Sequence, residues 1–313
     1  MSSTGAVVAV GGNALVKNSD EISVAHQAAA VADSAASIVS LVQAGYTPVV
    51  THGNGPQVGF LLRRAELALA ELPPLPLDVL GADTQGATGY MFSMGLRNAL
   101  AAQGLDKDVA AVVTQTVVDP EDPAFANPTK PIGSFMSRQE AQRHAREDGW
   151  VMREDSGRGY RRVVASPQPL EIVETSTIKA LNRAGTIVVA GGGGGIPVRR
   201  DDGRLRGVEA VIDKDLASAL LASSLGVDDL IICTAVEAVC TDYGKPTQAQ
   251  LRTLTVAQAR EHLDAGQFGA GSMAPKIQAA ISFLQRGGQR VVITTLDRMV
   301  DALAGATGTT MTP

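Results

Sequence analysis

The chain has 313 residues, 45% of them hydrophobic and 19% charged, with 32 acidic against 27 basic side chains for a formal net charge of −5. That balance excludes a protein built to neutralise nucleic-acid phosphates, and the apolar fraction excludes a largely disordered chain. Two cysteines, Cys233 and Cys240, cannot make a disulfide framework or a four-ligand zinc site, and the four histidines are scattered without an HExxH pattern. No window offers about 18 uninterrupted apolar residues, and the start lacks a basic region followed by an apolar run, so a cytoplasmic chain with no membrane segment is expected.

In chain order, short β-branched runs alternate with long Ala/Leu helical patterns. Residues 6–10 read as a strand that breaks at Gly11-Gly12. A helix follows over residues 24–43, with Gly45 placed to end it, and residues 49–51 read as a buried strand with Pro48 near its start. Further strands are expected at residues 109–113, 186–190, 230–234 and 290–294 with helices between them. This alternation predicts an α/β fold with a mostly parallel sheet covered on both faces. Residues 119–168 break the rhythm with Pro120, Pro123, Pro128 and Pro131, a mixed-charge helix over 137–147, and strand-like pieces at Trp150-Val151 and 162–165. A structureless stretch of that length is unusual inside a compact domain, so it is expected to be an inserted subdomain or lid.

Three glycine clusters fall just after predicted strands: Gly11-Gly12-Asn13, His52-Gly53-Asn54-Gly55-Pro56, and the run from Gly191 to Gly195. Each presents bare backbone N–H groups near a strand end or helix start, which is how a protein binds an anion without side chains. Glycine also serves tight turns, but three such loops at strand ends point to phosphate or another anion. Neither GxxxxGK[ST] nor GxGxxG occurs, which excludes a P-loop and weakens a dinucleotide site.

Lysines supply the complementary charge. Lys214 stands between Asp213 and Asp215 where an apolar run enters a helix, Lys276 follows the flexible stretch 269–275, and Lys130 lies between Pro128 and Pro131. A lone lysine is ordinarily a solvated surface charge, but Lys214 and Lys276 sit at loop-to-helix junctions beside acids or glycines. Phosphoryl transfer needs alignment and charge stabilisation more than a general base, so backbone amides with two or three lysines, and Mg²⁺ on nucleotide phosphates, would serve.

These motifs resemble carbamate kinases, within the amino acid kinase superfamily. The likeness runs through GGNA at 11–14, THGNGPQVG at 51–59, PLD at 76–78, TQG at 84–86, NPTKPIG at 127–133, GRGYRRVV at 157–164, GVEAVIDKD at 207–215, YGKP at 243–246 and GSMAPK at 271–276, in order over nearly the whole chain. The resemblance implies a three-layer αβα sandwich of about eight mainly parallel strands, usually a homodimer. It also implies one amino acid kinase-type domain over 1–313, with an N-terminal lobe (1–205) on the carbamate side carrying the lid (119–168), and a nucleotide-side C-terminal lobe (206–313). The implied reaction is reversible phosphoryl transfer between ATP and carbamate, run from carbamoyl phosphate and ADP, with Mg²⁺. Arginine, agmatine or purine breakdown could supply the substrate.

By the same resemblance, Gly11, Gly12, Asn13, Gly53 and Asn54 would receive the carbamoyl phosphate or the moving phosphoryl group, and Gly193 and Gly194 would line the centre. Lys214 and Lys276 would stabilise the transferring charge, Asp215 would organise them, and Lys130 would reach over the carbamate site. Tyr243, Lys245, Pro246 and Met273 would lie by the nucleotide. The segment 234–240 departs from the commoner TxVDxV pattern with Ala235 for Gly and Glu237 for Asp. Cys240 is expected to be a small buried apolar residue, and His52 a loop-shaping one. Two alternatives remain: a sibling kinase with another acceptor, such as acetylglutamate or uridylate, and a non-catalytic nucleotide or anion sensor of the same fold.

Overall fold

The computed structural model describes residues 4–12, 15–16, 23–155, 157–269 and 271–313. The chain runs β1 (Thr4–Val10), α1 (Val24–Gln43), β2 (Tyr46–His52), α2 (Gly55–Leu67), α3 (Leu77–Ala102) and β3 (Val109–Ala111). Next come β4 (Gln115–Val118), α4 (Pro123–Ala126), β5 (Lys130–Met136), α5 (Arg138–Glu147), β6 (Met152–Glu154), β7 (Tyr160–Val164) and β8 (Pro169–Ile172). Then follow α6 (Thr175–Arg183), β9 (Ile187–Val189), β10 (Ile196–Asp201) and β11 (Arg204–Gly207). The remainder holds α7 (Lys214–Leu225), β12 (Asp229–Cys233), β13 (Val239–Thr241), β14 (Ala249–Leu251), β15 (Thr253–Thr255) and α8 (Val256–Asp264). It ends with α9 (Met273–Gln285), β16 (Arg290–Thr294), α10 (Met299–Leu303) and β17 (Thr309–Thr312).

Among the described residues the main sheet has eight strands, in the order β15-β17-β16-β12-β1-β2-β9-β3. The six from β16 to β3 are mutually parallel, while β17 pairs antiparallel with β16 and β15 runs parallel to β17. The central strand explains the layering. Val7 and Ala9 of β1 face one core with α7 and α9, and Ala6, Val8 and Val10 face the other with α1 and α3. A strand buried on both faces reads as a continuous apolar run rather than an alternating one, which is why AVVAV stands here. The result is the three-layer α/β sandwich expected from the sequence.

Local chemistry sets the boundaries. Ser23 Oγ accepts from His26 N at 3.2 Å to start α1, and Gly45, with φ +94°, takes the left-handed turn after it. Trp150 and Val151, expected to be extended, precede the strand instead: β6 starts at Met152, after the α5 C-terminus turns through Gly149 at φ +67°. Trp150 stacks on His144 of α5 with ring centroids 4.5 Å apart, which holds it against the helix.

Residues 119–168 leave from β4 and return into β8, and Val118 pairs with Pro169, so the two ends of the segment lie side by side. Between them, β5, β7 and β6 form an antiparallel sheet of their own. Its Ile132 and Val164 are buried against Val58 and Leu62 of α2 and Leu77 and Leu80 of α3. This apolar seam seats the protruding sheet beside the carboxyl ends of the main-sheet strands.

Candidate active site

A cleft of about 1000 Å³ opens at those carboxyl ends. In a parallel sheet the loops after neighbouring strands are brought side by side, and here β1, β2 and β9 are consecutive. The three glycine clusters therefore meet. A Cβ on Gly53 would lie 3.5 Å from the Cα of Gly12 and 3.6 Å from Cδ of Lys214, so the first two loops and this lysine are in van der Waals range. Gly11, Gly12, Gly53, Asn54 and Gly193 line the cleft. Asn13 lies outside the described residues. Gly194 turns away from the cleft, where a Cβ would meet the Ile212 carbonyl at 2.6 Å.

Glycine is required in the third loop. Gly191, Gly193, Gly194 and Gly195 have φ of +61°, +67°, +92° and +90°. A side chain on Gly192 would run into the His52 ring, and one on Gly193 into the Asn54 amide. The loop is thus pressed against the residues that follow β2.

Two helices point their N-termini into the cleft, each with a lysine in its first turn. Asp213 caps α7, its Oδ1 accepting from Asp215 N at 2.9 Å and from Leu216 N at 3.4 Å. Lys214 Nζ donates to Asp215 Oδ1 at 2.5 Å and Lys276 Nζ, from α9, donates to Asp215 Oδ2 at 2.7 Å. Each carboxylate oxygen of Asp215 thus holds one ammonium group, and the acid is 3% exposed. Burial alone would raise its pKa, but the charges of Lys214 and Lys276 outweigh that and hold it below the usual carboxylate range. Lys276 is lowered from the ordinary lysine value, first by burial and then by the charge of Lys214, with Asp215 opposing both. Two cations gathered on one anion leave a net positive centre facing the glycine loops, which is what a transferring phosphoryl group requires.

Lys130 enters from the protruding sheet and lies 3.1 Å from Asp213 Oδ2. Arg161, which the sequence reading did not single out, also lines the cleft from β7, its Nε donating to Gly133 O at 3.1 Å. Ala235, Val236, Ala238, Tyr243 and Met273 add a less polar part to the cleft lining, a surface suited to a flat ring. Lys245 and Pro246 do not line it: both are exposed, and Lys245 Nζ pairs with Asp242 at 2.9 Å. Glu237 likewise turns from the cleft, accepting from the Thr307 hydroxyl and lying 3.7 Å from Arg252. Cys240 is buried at the cleft wall, its Sγ 3.7 Å from Gln248 Nε2, while burial pushes the Cys233 thiol up to about 12.

His52 is buried, its Nδ1 2.9 Å from the Gly53 carbonyl, and burial lowers it to about 4. It is a neutral ring wedged between Phe92 and the third glycine loop, not a proton donor at neutral pH. Among the described residues, no group of three or more His, Cys, Asp or Glu side chains is placed to hold a metal ion, and no helix is long and apolar enough to cross a membrane.

A parallel sheet with anion-binding loops and paired lysines at its carboxyl edge defines a class of phosphoryl-transfer folds. The chain belongs to the amino acid kinase family, whose description matches residues 5–295. Relatives that match it over nearly their full length include carbamate kinases and carbamate kinase-like proteins, which marks it as a phosphotransferase enzyme. The carbamate kinase of Pyrococcus furiosus is 47% identical over 98% of both chains, and the carbamate kinase-like protein YahI of Escherichia coli is 50% identical over 97% of each. A solved structure, the carbamate kinase from Giardia lamblia bound to AMP-PNP, superposes with a TM-score of 0.93 at 43% identity, covering 100% of this chain and 99% of that one.

Proposed function

We propose that this protein is a carbamate kinase that transfers a phosphoryl group reversibly between carbamoyl phosphate and ADP, giving carbamate and ATP. The observation that carries this is the Lys214–Asp215–Lys276 cluster set against the Gly12 and Gly53 loops, together with the carbamate kinase relatives. In the ATP-forming direction a β-phosphate oxygen of ADP attacks phosphorus, and the bond to the carbamate oxygen breaks. Both partners are already anions, so no side chain has to remove a proton.

The residues divide the work. Backbone N–H groups at Gly11 and Gly12, with the Asn54 amide, orient the transferring group; Gly53, whose own N–H donates to Val10 O at 3.2 Å, lets it approach closely, and Lys214 and Lys276 stabilise its charge from the other side. Asp215 keeps the two ammonium groups from repelling each other. Lys130, carried by residues 119–168, covers the carbamate end as part of a lid. The nucleotide base occupies the end near Tyr243 and Met273, with its phosphates toward the α9 N-terminus. Mg²⁺, when bound, neutralises nucleotide phosphate charge. Both oxygens of Asp215 are taken by lysines, so the metal would be held through the phosphates.

Initial-rate ATP synthesis from ADP with carbamoyl phosphate as the sole donor tests the assignment, and a folded protein yielding none would overturn it. Chelation with EDTA should abolish the rate; full activity in EDTA would exclude the Mg²⁺ requirement.

We further place the protein in the cytoplasm as a homodimer. Val79, Tyr90 and Met94 are exposed on α3 at helical spacing, with Leu72 and Leu75 exposed before the helix. A second copy covering this face gives each a partner. Sedimentation should show a dimer that Tyr90→Asp dissociates.

A further inference from the structure

α3 supplies two adjacent polar residues that the phosphoryl chemistry does not use. Gln85 is 5% exposed and makes three hydrogen bonds. Its Nε2 donates to the carbonyls of Thr114 and Gly192, each at 3.0 Å, and its Oε1 accepts from Thr114 N at 2.7 Å. Thr114 in turn accepts from Gly191 N at 2.9 Å through its Oγ1. One carboxamide therefore ties the third glycine loop to the start of the β4 segment.

Thr84, one residue earlier and 1% exposed, reaches the second loop instead. Its hydroxyl donates to Gly81 O at 2.7 Å and accepts from Asn54 Nδ2 at 2.8 Å. That is the single side-chain hydrogen bond of Asn54 among the described residues. Asn54 follows β2, lines the cleft, and lies directly against Gly193. Two loops from different strands thus take their relative positions from one turn of one helix.

We infer that Thr84 and Gln85 are positioning residues that lock the second and third glycine loops into a single anion-receiving surface, Thr84 by fixing the Asn54 amide and Gln85 by fixing the Gly191–Gly192 backbone. This rests on the assignment of the Asn54 loop to the transferring phosphoryl group, with the third loop packed against Asn54 at Gly193. A valine at position 84 keeps the shape of threonine but removes both the donor and the acceptor, leaving Asn54 free to rotate. Loss of one such bond corresponds to about a five- to tenfold effect.

The experiment compares wild type, Thr84→Val and Thr84→Ser by calorimetric titration with inorganic phosphate, by KM for carbamoyl phosphate and for ADP, and by thermal melting. Thr84→Val should weaken phosphate binding and raise the carbamoyl phosphate KM about five- to tenfold, with ADP KM and melting temperature close to wild type. Thr84→Ser should restore both. Unchanged phosphate affinity in Thr84→Val overturns the inference. So does a common rise in both KM values with a fall in melting temperature that Thr84→Ser shares, since that is a purely structural defect. If wild type binds phosphate but makes no ATP, the functional assignment fails while the phosphate titration still decides the inference.

Discussion

Lys130 of the protruding sheet and Asp213 at the start of α7 are joined by a 3.1 Å ion pair, so the residue that caps a core helix is also tied to the protruding sheet. The two oxygens divide the tasks, Oδ1 taking helix N–H groups and Oδ2 the ammonium. Asp213→Asn preserves the cap, because asparagine caps as well as aspartate, but loses the charge. It should change the carbamoyl phosphate KM several-fold while leaving the melting temperature nearly unchanged. Asp213→Ala should in addition cost about 1 kcal/mol of stability, read by urea unfolding. Equal KM values for wild type and Asp213→Asn would show that the pair does not govern the lid.

Lys214→Ala and Lys276→Ala should each lower kcat on the order of 10²-fold or more in ATP synthesis, since each removes one preorganised cation from the transferring charge. Asp215→Ala leaves two ammonium groups facing each other without their shared anion. Beyond the loss of rate it should destabilise the fold by about 3 kcal/mol, as breaking a buried ion pair does. Wild-type turnover in both lysine variants would refute their roles.

The lowered pKa of Lys276 gives the alkaline side a sign. The ammonium form is needed for charge stabilisation, and burial makes it lose its proton more readily than a free lysine at 10.5. The kcat/KM profile, which reports the free enzyme, should therefore lose activity on its alkaline side with a midpoint below 10.5. Lys276→Arg, whose guanidinium stays charged, should remove that limb even at a lower absolute rate. An alkaline limb of the same position in the arginine variant would assign it to another group.

On the acid side, His52 is lowered by burial from 6.5 to about 4. Between those values the unfolded chain takes up a proton that the folded state does not. Stability present above pH 6.5 is therefore lost as pH falls toward 4, by roughly 3 kcal/mol. Asp215, also lowered, adds its loss only below the ordinary carboxylate pKa, at more acid pH. Urea unfolding between pH 7.5 and about 4.5 should show this slope in wild type and a flatter one in His52→Gln. Parallel slopes would exclude His52 as the source.

Removal of residues 119–168 should leave a folded core with a raised carbamoyl phosphate KM, because Val118 and Pro169 already lie side by side at the excision point. The same cut uncovers Val58, Leu62, Leu77 and Leu80, so the truncated protein should also melt earlier. An unfolded product would show that the segment is part of the core. Ile132→Ala, which thins the same seam, should cost about 2–4 kcal/mol.

Local patterns were read well where local forces decide. The span of α1 follows from Ser23, the apolar period and Gly45, and the glycine clusters fall at strand ends because the chain must turn there. Arg290–Thr294 also matches its expected span, being a short apolar run with few alternatives. What escaped is set by distant residues. The antiparallel course of β17 depends on its pairing with β16, whereas the β10–β11 hairpin has a local signal, Asp202-Gly203 with φ of +48° and +79° between its strands, that passed unread. The TQG triplet is visible as a motif, but only the folded chain shows that Thr84 meets Asn54 and Gln85 meets Gly192. Asp213 carries a local signal, an acid immediately before a helix, yet its bond to Lys130 spans 83 residues. Lys245 and Pro246 came from the family motif rather than from chemistry near them, and they lie outside the cleft lining.

The most direct measurement is donor selectivity in ATP formation: purified protein with ADP and Mg²⁺, given carbamoyl phosphate, acetyl phosphate or buffer alone. The account predicts rapid ATP formation from carbamoyl phosphate, with acetyl phosphate far slower. A folded protein that makes no ATP from carbamoyl phosphate, or makes it equally from both donors, contradicts the assignment.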